Sequence, residues 1–273
     1  MRQSTYLDKI IHDKRVEVEK LIKEDAKKGS NSLTAFLTNQ RKSSGKFSTA
    51  LKGKDLSVIA EIKRASPSKG QIGDIIDPSL LALSYAKGGA SAISVLTDFK
   101  HFGGSLEDLK SAGQSLIKVG AEVPLLRKDF LIHKLQLCEA ALAGAFAVLL
   151  IADVLGPNLR KMIQTAEFLG LESLVEVHDE RDLDIALEAG ANIIGVNNRD
   201  LKSFNIDLQT SEVLRPKIPA SIITVSESGI STPEDARRMK DLGYHAILVG
   251  EALVKSSDPA NLLTALKGGI NEN

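Results

Sequence analysis

Eight short apolar runs recur between residues 57 and 250 at a spacing of about 27 residues, and this regularity restricts the fold more than any other feature of the chain. The runs are SVIAEI from residue 57, AISVLT from 92, VPLLRKDF from 123, AVLLIA from 147, SLVEVH from 173, NIIGVNN from 192, SIITVSESG from 221 and HAILVG from 245. Nearly continuous runs of this length are typical of parallel strands that are covered on both faces.

The segments between the runs have the periodicity of helices. Examples are PSLLALSYAKGGA, NLRKMIQTAEFLG, ERDLDIALEAGA and PEDARRMKDLGY, and several end in glycine, as helix C-termini prefer. Eight strand–helix units in roughly 215 residues predict an α/β fold of the (β/α)8 TIM barrel type, which usually takes about 250 residues. A doubly wound open sheet is the alternative. It normally carries a G-x-G-x-x-G loop after its first strand, and KRASPSKG at that place does not match.

Residues 4–28 precede the first run and repeat apolar side chains near the helical period, which predicts an amphipathic helix. The polar, Gly- and Ser-containing segment that follows indicates a loop with a brief helix. A coiled coil or a membrane-surface helix would show the same pattern, but docking on the next domain is the more ordinary arrangement. We therefore predict an N-terminal helical extension over residues 1–50, packed on a barrel catalytic domain over residues 51–273.

The charge balance and the few reactive side chains exclude several classes of partner. The chain has 35 basic and 35 acidic residues, so no global field attracts nucleic acid or an acidic membrane surface, and we expect neither as a partner. The single cysteine, Cys138, falls in a helical stretch and is interpreted as a small buried hydrophobe. The five histidines include no i, i+4 pair, so we expect no bound metal.

The N-terminal sequence carries acidic residues throughout and has no apolar stretch of signal-peptide or transmembrane length. A single cysteine allows no internal disulfide, which suits a reducing compartment. The sequence therefore predicts a cytoplasmic protein, and we expect it to act as a monomer.

Polar side chains stand at the C-terminal ends of the predicted strands, where a structural core would have apolar ones. They are Glu61 and Lys63 after the first strand, Lys128 and Asp129 after the third, Glu176 and His178 after the fifth, Asn197, Asn198 and Arg199 after the sixth, and Ser226, Glu227 and Ser228 after the seventh. Two-residue spacing puts Glu61 and Lys63 on one face of their strand. Barrel enzymes place their chemistry at this end, so we predict an active site at the barrel mouth. A structural ring of ion pairs is the alternative.

The loops after the last two strands predict a phosphate site. Ser228 and Gly229 lie in the turn after the seventh strand, Thr232 follows as a helix N-cap, and Gly250 ends the eighth strand. Barrels frequently bind phosphate at this place through loop amides and a helix N-terminus. Two glycines after adjacent terminal strands therefore favour a small-molecule phosphorylated substrate.

A set of motifs is more specific than these patterns. VIAEIKRASPSKG, PLLRKDF, LVEVH, GVNNRDL, SESGI and LVGEAL, in this order and spacing, resemble the indole-3-glycerol phosphate synthase family of tryptophan biosynthesis over about residues 5–265. The resemblance implies ring closure of 1-(o-carboxyphenylamino)-1-deoxyribulose 5-phosphate, with loss of carbon dioxide and water. It also implies a carboxy-lyase that uses no cofactor and no metal.

The same resemblance implies a role for each matching residue. Lys128 would be the general acid that protonates the substrate carbonyl oxygen, and Glu176 would be a general base. Lys63 and Glu61 would assist the proton transfers of dehydration and position the substrate carboxylate. The implied substrate-binding residues are Ser66, Ser228, Gly229, Gly250 and Glu251 around the phosphate, Asn197 and Arg199 at other polar groups, and Phe102 and Phe130 along the anthranilate ring.

Two other functions remain open from the residues alone. Phosphoribosylanthranilate isomerase, another phosphate-binding barrel of the same pathway, works with a cysteine and an aspartate near its strand ends, whereas Cys138 falls on a predicted helix. A catalytically silent barrel that senses a sugar phosphate would bind its ligand without turnover. The two lysines and two glutamates at the strand ends disfavour that hypothesis.

Overall fold

The fold is a closed barrel of eight parallel strands, described by a computed structural model over residues 5–66, 70–73 and 77–268. The strands are β1 (Ser57–Ile62), β2 (Ala92–Leu96), β3 (Leu125–Lys128), β4 (Ala147–Ile151), β5 (Glu172–Val177), β6 (Ile193–Asn197), β7 (Ile223–Glu227) and β8 (Ala246–Val249). β1 pairs with β2 on one side and with β8 on the other, so the barrel has no free edge. The predicted (β/α)8 barrel is therefore confirmed, and a doubly wound open sheet is excluded.

Helices surround the barrel and also precede it. They are α1 (Tyr6–Asp25), α2 (Leu33–Phe36), α3 (Lys46–Leu51), α4 (Pro78–Lys87), α5 (Phe99–Phe102), α6 (Leu106–Lys118), α7 (Lys134–Leu142), α8 (Ala152–Leu155), α9 (Leu159–Phe168), α10 (Glu180–Ala189), α11 (Gln209–Leu214), α12 (Pro233–Asp241), α13 (Glu251–Lys255) and α14 (Pro259–Leu266). A short antiparallel pair, Ala65–Ser66 with Gly70–Gln71, follows β1. None of the helices in the described part of the chain is long and apolar enough to cross a membrane.

Side chains alternate along the strands and divide the core into two parts. Outward-facing residues such as Val58 and Ile93 are buried in the cluster shared with the surrounding helices. Inward-facing residues such as Ile59, Leu126 and Leu174 fill the barrel interior. Two residues further along β1, β3 and β5, the inward positions become charged, because the strands there approach the barrel mouth.

The segment before β1 is packed against the barrel through apolar and polar contacts. Leu7 and Ile10 of α1 belong to the same buried apolar cluster as the inward-facing strand residues, and so does Phe47 of α3. The backbone amide of Phe47 also donates to the carboxylate of Glu172 at the start of β5 (2.9 Å). Helix α1 therefore contacts the barrel in this structure.

Candidate active site

A cavity of about 420 Å³ opens at the C-terminal ends of the barrel strands, a size that suits a small-molecule ligand. Its lining includes the four residues predicted to be catalytic and the nine predicted to bind substrate. They are Glu61, Lys63, Ser66, Phe102, Lys128, Phe130, Glu176, Asn197, Arg199, Ser228, Gly229, Gly250 and Glu251. The structure thus brings together, at one mouth, residues that are far apart in the sequence.

Lys128 is the centre of a charge cluster in this cavity. It is the last residue of β3, and its Nζ lies 2.8 Å from Oε2 of Glu176 and 3.2 Å from Oε2 of Glu227. Glu176 and Glu227 lie near the ends of β5 and β7, and both are buried. Inward positions on three alternate strands therefore place one ammonium between two carboxylates. We refer to these three residues as the Lys128 cluster.

Burial and charge act in opposite directions on this cluster. Burial disfavours the ammonium, but the carboxylates of Glu176, Glu227 and Glu61 outweigh that effect and raise the pKa of Lys128 above its ordinary value. Burial, together with the charge of Glu176, raises the pKa of Glu227 from 4.5 to about 7, although Lys128 opposes the shift. Lys128 is therefore protonated at neutral pH, whereas Glu227 exchanges a proton there.

A second ion pair stands at the end of β1, where Nζ of Lys63 lies 2.8 Å from Oε1 of Glu61. Glu61 is packed against Gly250, because a β-carbon at position 250 would lie only 2.6 Å from the same Oε1. The hydroxyl of Tyr85 donates to the backbone carbonyl of Glu61 (3.3 Å). Glycine at position 250 therefore makes room for the Glu61 carboxylate.

Asn197 connects the Lys128 cluster to the loop after β6. Its Nδ2 donates to Oε1 of Glu176 (3.0 Å), and its Oδ1 accepts from the backbone amide of Arg199 (3.0 Å). The Arg199 guanidinium donates to the carbonyl oxygen of Phe204 (3.2 Å), and burial lowers its pKa. A guanidinium stays charged even so, and the loop therefore holds a cation at the cavity wall.

The turn after β7 has an unusual backbone conformation that a buried amide supports. Ser228 and Gly229 both adopt left-handed conformations, with φ of 65° and 81°. Nδ2 of Asn198 donates to the carbonyl oxygens of Glu227 and Ser228, each at 3.0 Å, and to Oγ of Ser226 at 3.1 Å. Asn198 therefore fixes the turn that carries Ser228 and Gly229 into the cavity.

Glu251 places a carboxylate in the region where the sequence predicts phosphate. Its Oε1 lies 2.7 Å from Nζ of Lys255, one turn later on α13, and Lys255 also lines the cavity. The Glu251 carboxylate also lies within the electrostatic reach of Arg199. Two cations therefore offset the one negative charge at this end of the cavity.

An aromatic pair gives the cavity an apolar wall. The rings of Phe102, at the end of α5, and Phe130, two residues after Lys128, have centroids 6.1 Å apart and planes inclined by 31°. Leu96 and Ile151 line the same cavity. A planar ring of a ligand packs well against such a surface.

Three residues that shape the site have no role in the sequence-based prediction. Glu227 stands out only as a strand-end polar residue, although its two-residue spacing from Val225 already indicates an inward position. Gly195 of β6 leaves space for the Glu227 carboxylate, and Asn198 holds the β7 turn. Asn198, like Glu227, stands out in the sequence only as a strand-end polar residue. The roles of Gly195 and Asn198 depend on neighbouring strands, so no local pattern indicates those roles.

His178 and Cys138, the other candidate reactive side chains, do not line the active-site cavity. His178 lies in the loop after β5, and its Nδ1 is 2.8 Å from the carbonyl oxygen of Asn197. Cys138 is buried on α7, and burial raises the pKa of its thiol to about 11. Within residues 5–66, 70–73 and 77–268, no group of three or more His, Cys, Asp or Glu side chains is arranged to hold a metal ion.

Comparison with known proteins gives consistent matches along the chain. The family model described as indole-3-glycerol phosphate synthase matches residues 7–266. A relative of that name from Dehalococcoides mccartyi is 52% identical over 211 residues, which cover 77% of this chain and 81% of the relative. Another of that name, from Chlorobium luteolum, is 45% identical over 261 residues, which cover 94% of this chain and 96% of the relative. The solved structure of thiamine phosphate pyrophosphorylase from Pyrococcus furiosus has a TM-score of 0.58 at 17% identity, over 80% of this chain and 96% of that chain, and supports the fold alone.

Proposed function

Because this chain belongs to the indole-3-glycerol phosphate synthase family, we propose that the Lys128 cluster carries out the family's ring closure. The enzyme is a carboxy-lyase of tryptophan biosynthesis that converts 1-(o-carboxyphenylamino)-1-deoxyribulose 5-phosphate into indole-3-glycerol phosphate, carbon dioxide and water. The assignment of roles depends on one observation, the position of the Lys128 ammonium between two buried carboxylates.

In the first step, the ring carbon that bears the carboxylate attacks the carbonyl carbon of the sugar chain. Negative charge develops on the carbonyl oxygen as the carbon–carbon bond forms, and Lys128 donates a proton to that oxygen. The raised pKa of Lys128 keeps this side chain protonated at neutral pH. The carboxylate then leaves as carbon dioxide, and the electrons of the broken bond restore the aromatic ring.

In the second step, the new hydroxyl group leaves as water. An acid must protonate the hydroxyl while a base removes a proton from the neighbouring methylene carbon. We assign the base to Glu176, whose carboxylate is held by Lys128 and Asn197. Lys63, paired with Glu61 at 2.8 Å, helps to position the substrate carboxylate before the first step and supplies the proton to the leaving hydroxyl in the second.

We assign to Glu227 the return of a proton to Lys128. Its carboxyl has a pKa of about 7 and lies 3.2 Å from the Lys128 ammonium. A group that exchanges a proton near neutral pH is suited to return a proton to Lys128 after the first step. The role of Glu227 is therefore to restore the acid rather than to contact the substrate.

The remaining lining residues divide between the two ends of the substrate. The phosphate is bound by Ser66, by Ser228 and Gly229, and by the backbone amides of Gly250 and Glu251. Asn197 and Arg199 bind the other polar groups, and the Phe102–Phe130 wall contacts the anthranilate ring. This division is supported by the cations at one part of the lining and the aromatic pair at another.

We also propose that the enzyme acts as a cytoplasmic monomer that needs neither metal nor cofactor. Light scattering coupled to size-exclusion chromatography tests the oligomeric state, since a dimer at assay concentration would contradict the proposal.

Product fluorescence tests the function directly. The chain contains no tryptophan, so indole emission after addition of 1-(o-carboxyphenylamino)-1-deoxyribulose 5-phosphate comes from the product. With EDTA present, we expect the rate at which indole fluorescence increases to be proportional to enzyme concentration. Binding of the substrate without any emission would instead support the silent sugar-phosphate sensor and contradict the proposed activity.

A further inference from the structure

Lys14 of α1 is buried, which is unusual for a lysine on a helix at the protein surface. Its side chain is 2% exposed, and its Nζ lies 2.8 Å from Oδ2 of Asp98 and 3.0 Å from Oδ1 of Asp129. Glu17, half-exposed on the same helix, contacts the ammonium at 2.7 Å. A buried charge is tolerated only when it is paired, and here the partners belong to two different loops of the barrel.

The first of these loops carries the aromatic residue of α5. Asp98 is the N-cap of that helix, and its Oδ1 accepts from the backbone amide of His101 (2.8 Å). Helix α5 is a single turn that ends at Phe102. Among the described residues, Lys14 is the one cation within ion-pair distance of Asp98. The position of Asp98 therefore sets where this aromatic side chain enters the cavity.

The second loop carries the proposed general acid and the other aromatic residue. Asp129 lies between Lys128 and Phe130, and its Oδ1 also accepts from the backbone amide of Phe130 (2.8 Å). Its Oδ2 is held on the barrel side by Arg127, at 3.1 Å, and by the hydroxyl of Thr97, at 2.7 Å. One carboxylate therefore fixes the backbone on which Lys128 and Phe130 are placed.

We propose that Lys14 is a positioning residue, which joins these two loops so that Phe102 and Phe130 keep their separation and Lys128 keeps its reach into the cavity. The inference rests on the proposed function, because that function assigns the aromatic pair to the aryl ring of the substrate. Without the ammonium, the ion pairs that tie the two loops to each other are lost, and the loops move apart. In Lys14→Met the two buried carboxylates also repel each other. The helical extension thereby takes part in shaping the active site.

A double substitution separates positioning from stability. Lys14→Met alone leaves two buried carboxylates with one guanidinium and destabilises the fold. Lys14→Met with Asp98→Asn removes one charge of each sign, and the asparagine still caps α5. We expect this double variant to melt close to the unsubstituted enzyme, while its kcat/KM stays lower by about 10- to 100-fold, as for a reacting group displaced by about 1 Å.

Two inhibitors show which end of the cavity has changed. Anthranilate probes the aromatic wall, and inorganic phosphate probes the opposite end of the substrate. In the double variant we expect the inhibition constant of anthranilate to rise about tenfold and that of phosphate to stay unchanged. Wild-type kcat/KM and wild-type anthranilate inhibition in a folded double variant would overturn the positioning role and leave Lys14 a purely structural residue.

Glu17→Gln is the matched control, because it removes one carboxylate from the same ammonium without touching either loop. We expect its kinetics to equal those of the unsubstituted enzyme, and a loss as large as that of the double variant would overturn the proposal. Turnover by the unsubstituted enzyme distinguishes a failure of the proposed function from a failure of the positioning role of Lys14. If it is present and the double variant is unaffected, only the role of Lys14 fails. If it is absent, the proposed function fails and this inference with it.

Discussion

Gly195 on β6 and Glu227 on β7 occupy one space inside the barrel: a β-carbon at position 195 would overlap Oε1 of Glu227 and would lie 3.1 Å from its Cδ. The carboxylate therefore occupies the volume that any other residue at position 195 would need for its side chain. Glu227 is 1% exposed, and neither of its carboxylate oxygens has a hydrogen-bond donor among the described residues, although Lys128 lies at ion-pair distance. Glycine is thus required on the neighbouring strand for this buried acid to face the ammonium.

Gly195→Ala should lower kcat by about 10- to 100-fold, because the added methyl group displaces Glu227 from Lys128. Steady-state kinetics by indole emission measure the effect. If the alanine acts through Glu227, then Glu227→Ala and the double variant Gly195→Ala/Glu227→Ala should have the same kcat. Losses that simply multiply in the double variant would show that Gly195 acts by another route.

Lys128→Ala should lower kcat by about 10³-fold, the usual contribution of a general acid, while KM changes by less than about threefold. It should also cost about 3–5 kcal/mol of stability, since Glu176 and Glu227 lose their shared cation. Lys128→Arg is the matched control. We expect the arginine to restore the positive charge and the stability of the fold but not kcat, because a guanidinium does not release its proton. Wild-type kcat in Lys128→Ala would remove Lys128 from the mechanism.

The barrel is predictable from sequence because its strands are buried on both faces and its helices have a clear period. Each predicted run contains the observed strand, as SVIAEI does for β1, or begins one residue after the strand begins, as SLVEVH does for β5. Helix α3 is not predicted. It is only six residues long, and its first amides are satisfied by Glu172, which comes from a distant part of the chain. Its stability therefore depends on a tertiary contact.

The positions of the site residues are predictable to the extent that a charge on an inward strand position is chemically unusual. Glu61 and Lys128 satisfy that test. Gly195 and Lys14 do not, because a glycine in a strand and a lysine on an amphipathic helix are both ordinary features. The space beside Gly195 and the burial of Lys14 are produced by side chains on other strands and loops, so they become visible only in three dimensions.

The raised pKa of Glu227 predicts a pH dependence opposite to that of an ordinary ion-paired carboxylate. Between pH 4.5 and about 7, the unfolded chain has lost a proton that the folded protein still holds at Glu227. The contribution of Glu227 to the free energy of unfolding is therefore fully present below pH 4.5 and is lost as pH rises through about 7. The change amounts to at most about 3 kcal/mol.

Urea unfolding of the unsubstituted enzyme and of Glu227→Gln, at pH 4.5 and at pH 8, isolates this effect. Titrating groups that do not interact with Glu227 are common to both proteins, so their contributions cancel in the difference, and what remains comes from Glu227 and the groups coupled to it. We expect the stability of the unsubstituted enzyme relative to the variant to decrease from the lower to the higher pH. A difference that is constant with pH, or that increases, would contradict a raised pKa at Glu227.

Ser228→Gly separates the backbone of the β7 turn from its hydroxyl. The left-handed φ of 65° costs a serine about 1 kcal/mol, and glycine avoids this but loses roughly 0.5–1 kcal/mol of chain entropy, so stability should change little. Loss of the hydroxyl should weaken inhibition by inorganic phosphate about tenfold, the value of one hydrogen bond to a charged group. Ser231→Ala is the control, because that hydroxyl already contacts Asp235 at 3.3 Å. Equal phosphate inhibition in Ser228→Gly and the unsubstituted enzyme would remove the Ser228 hydroxyl from the phosphate site.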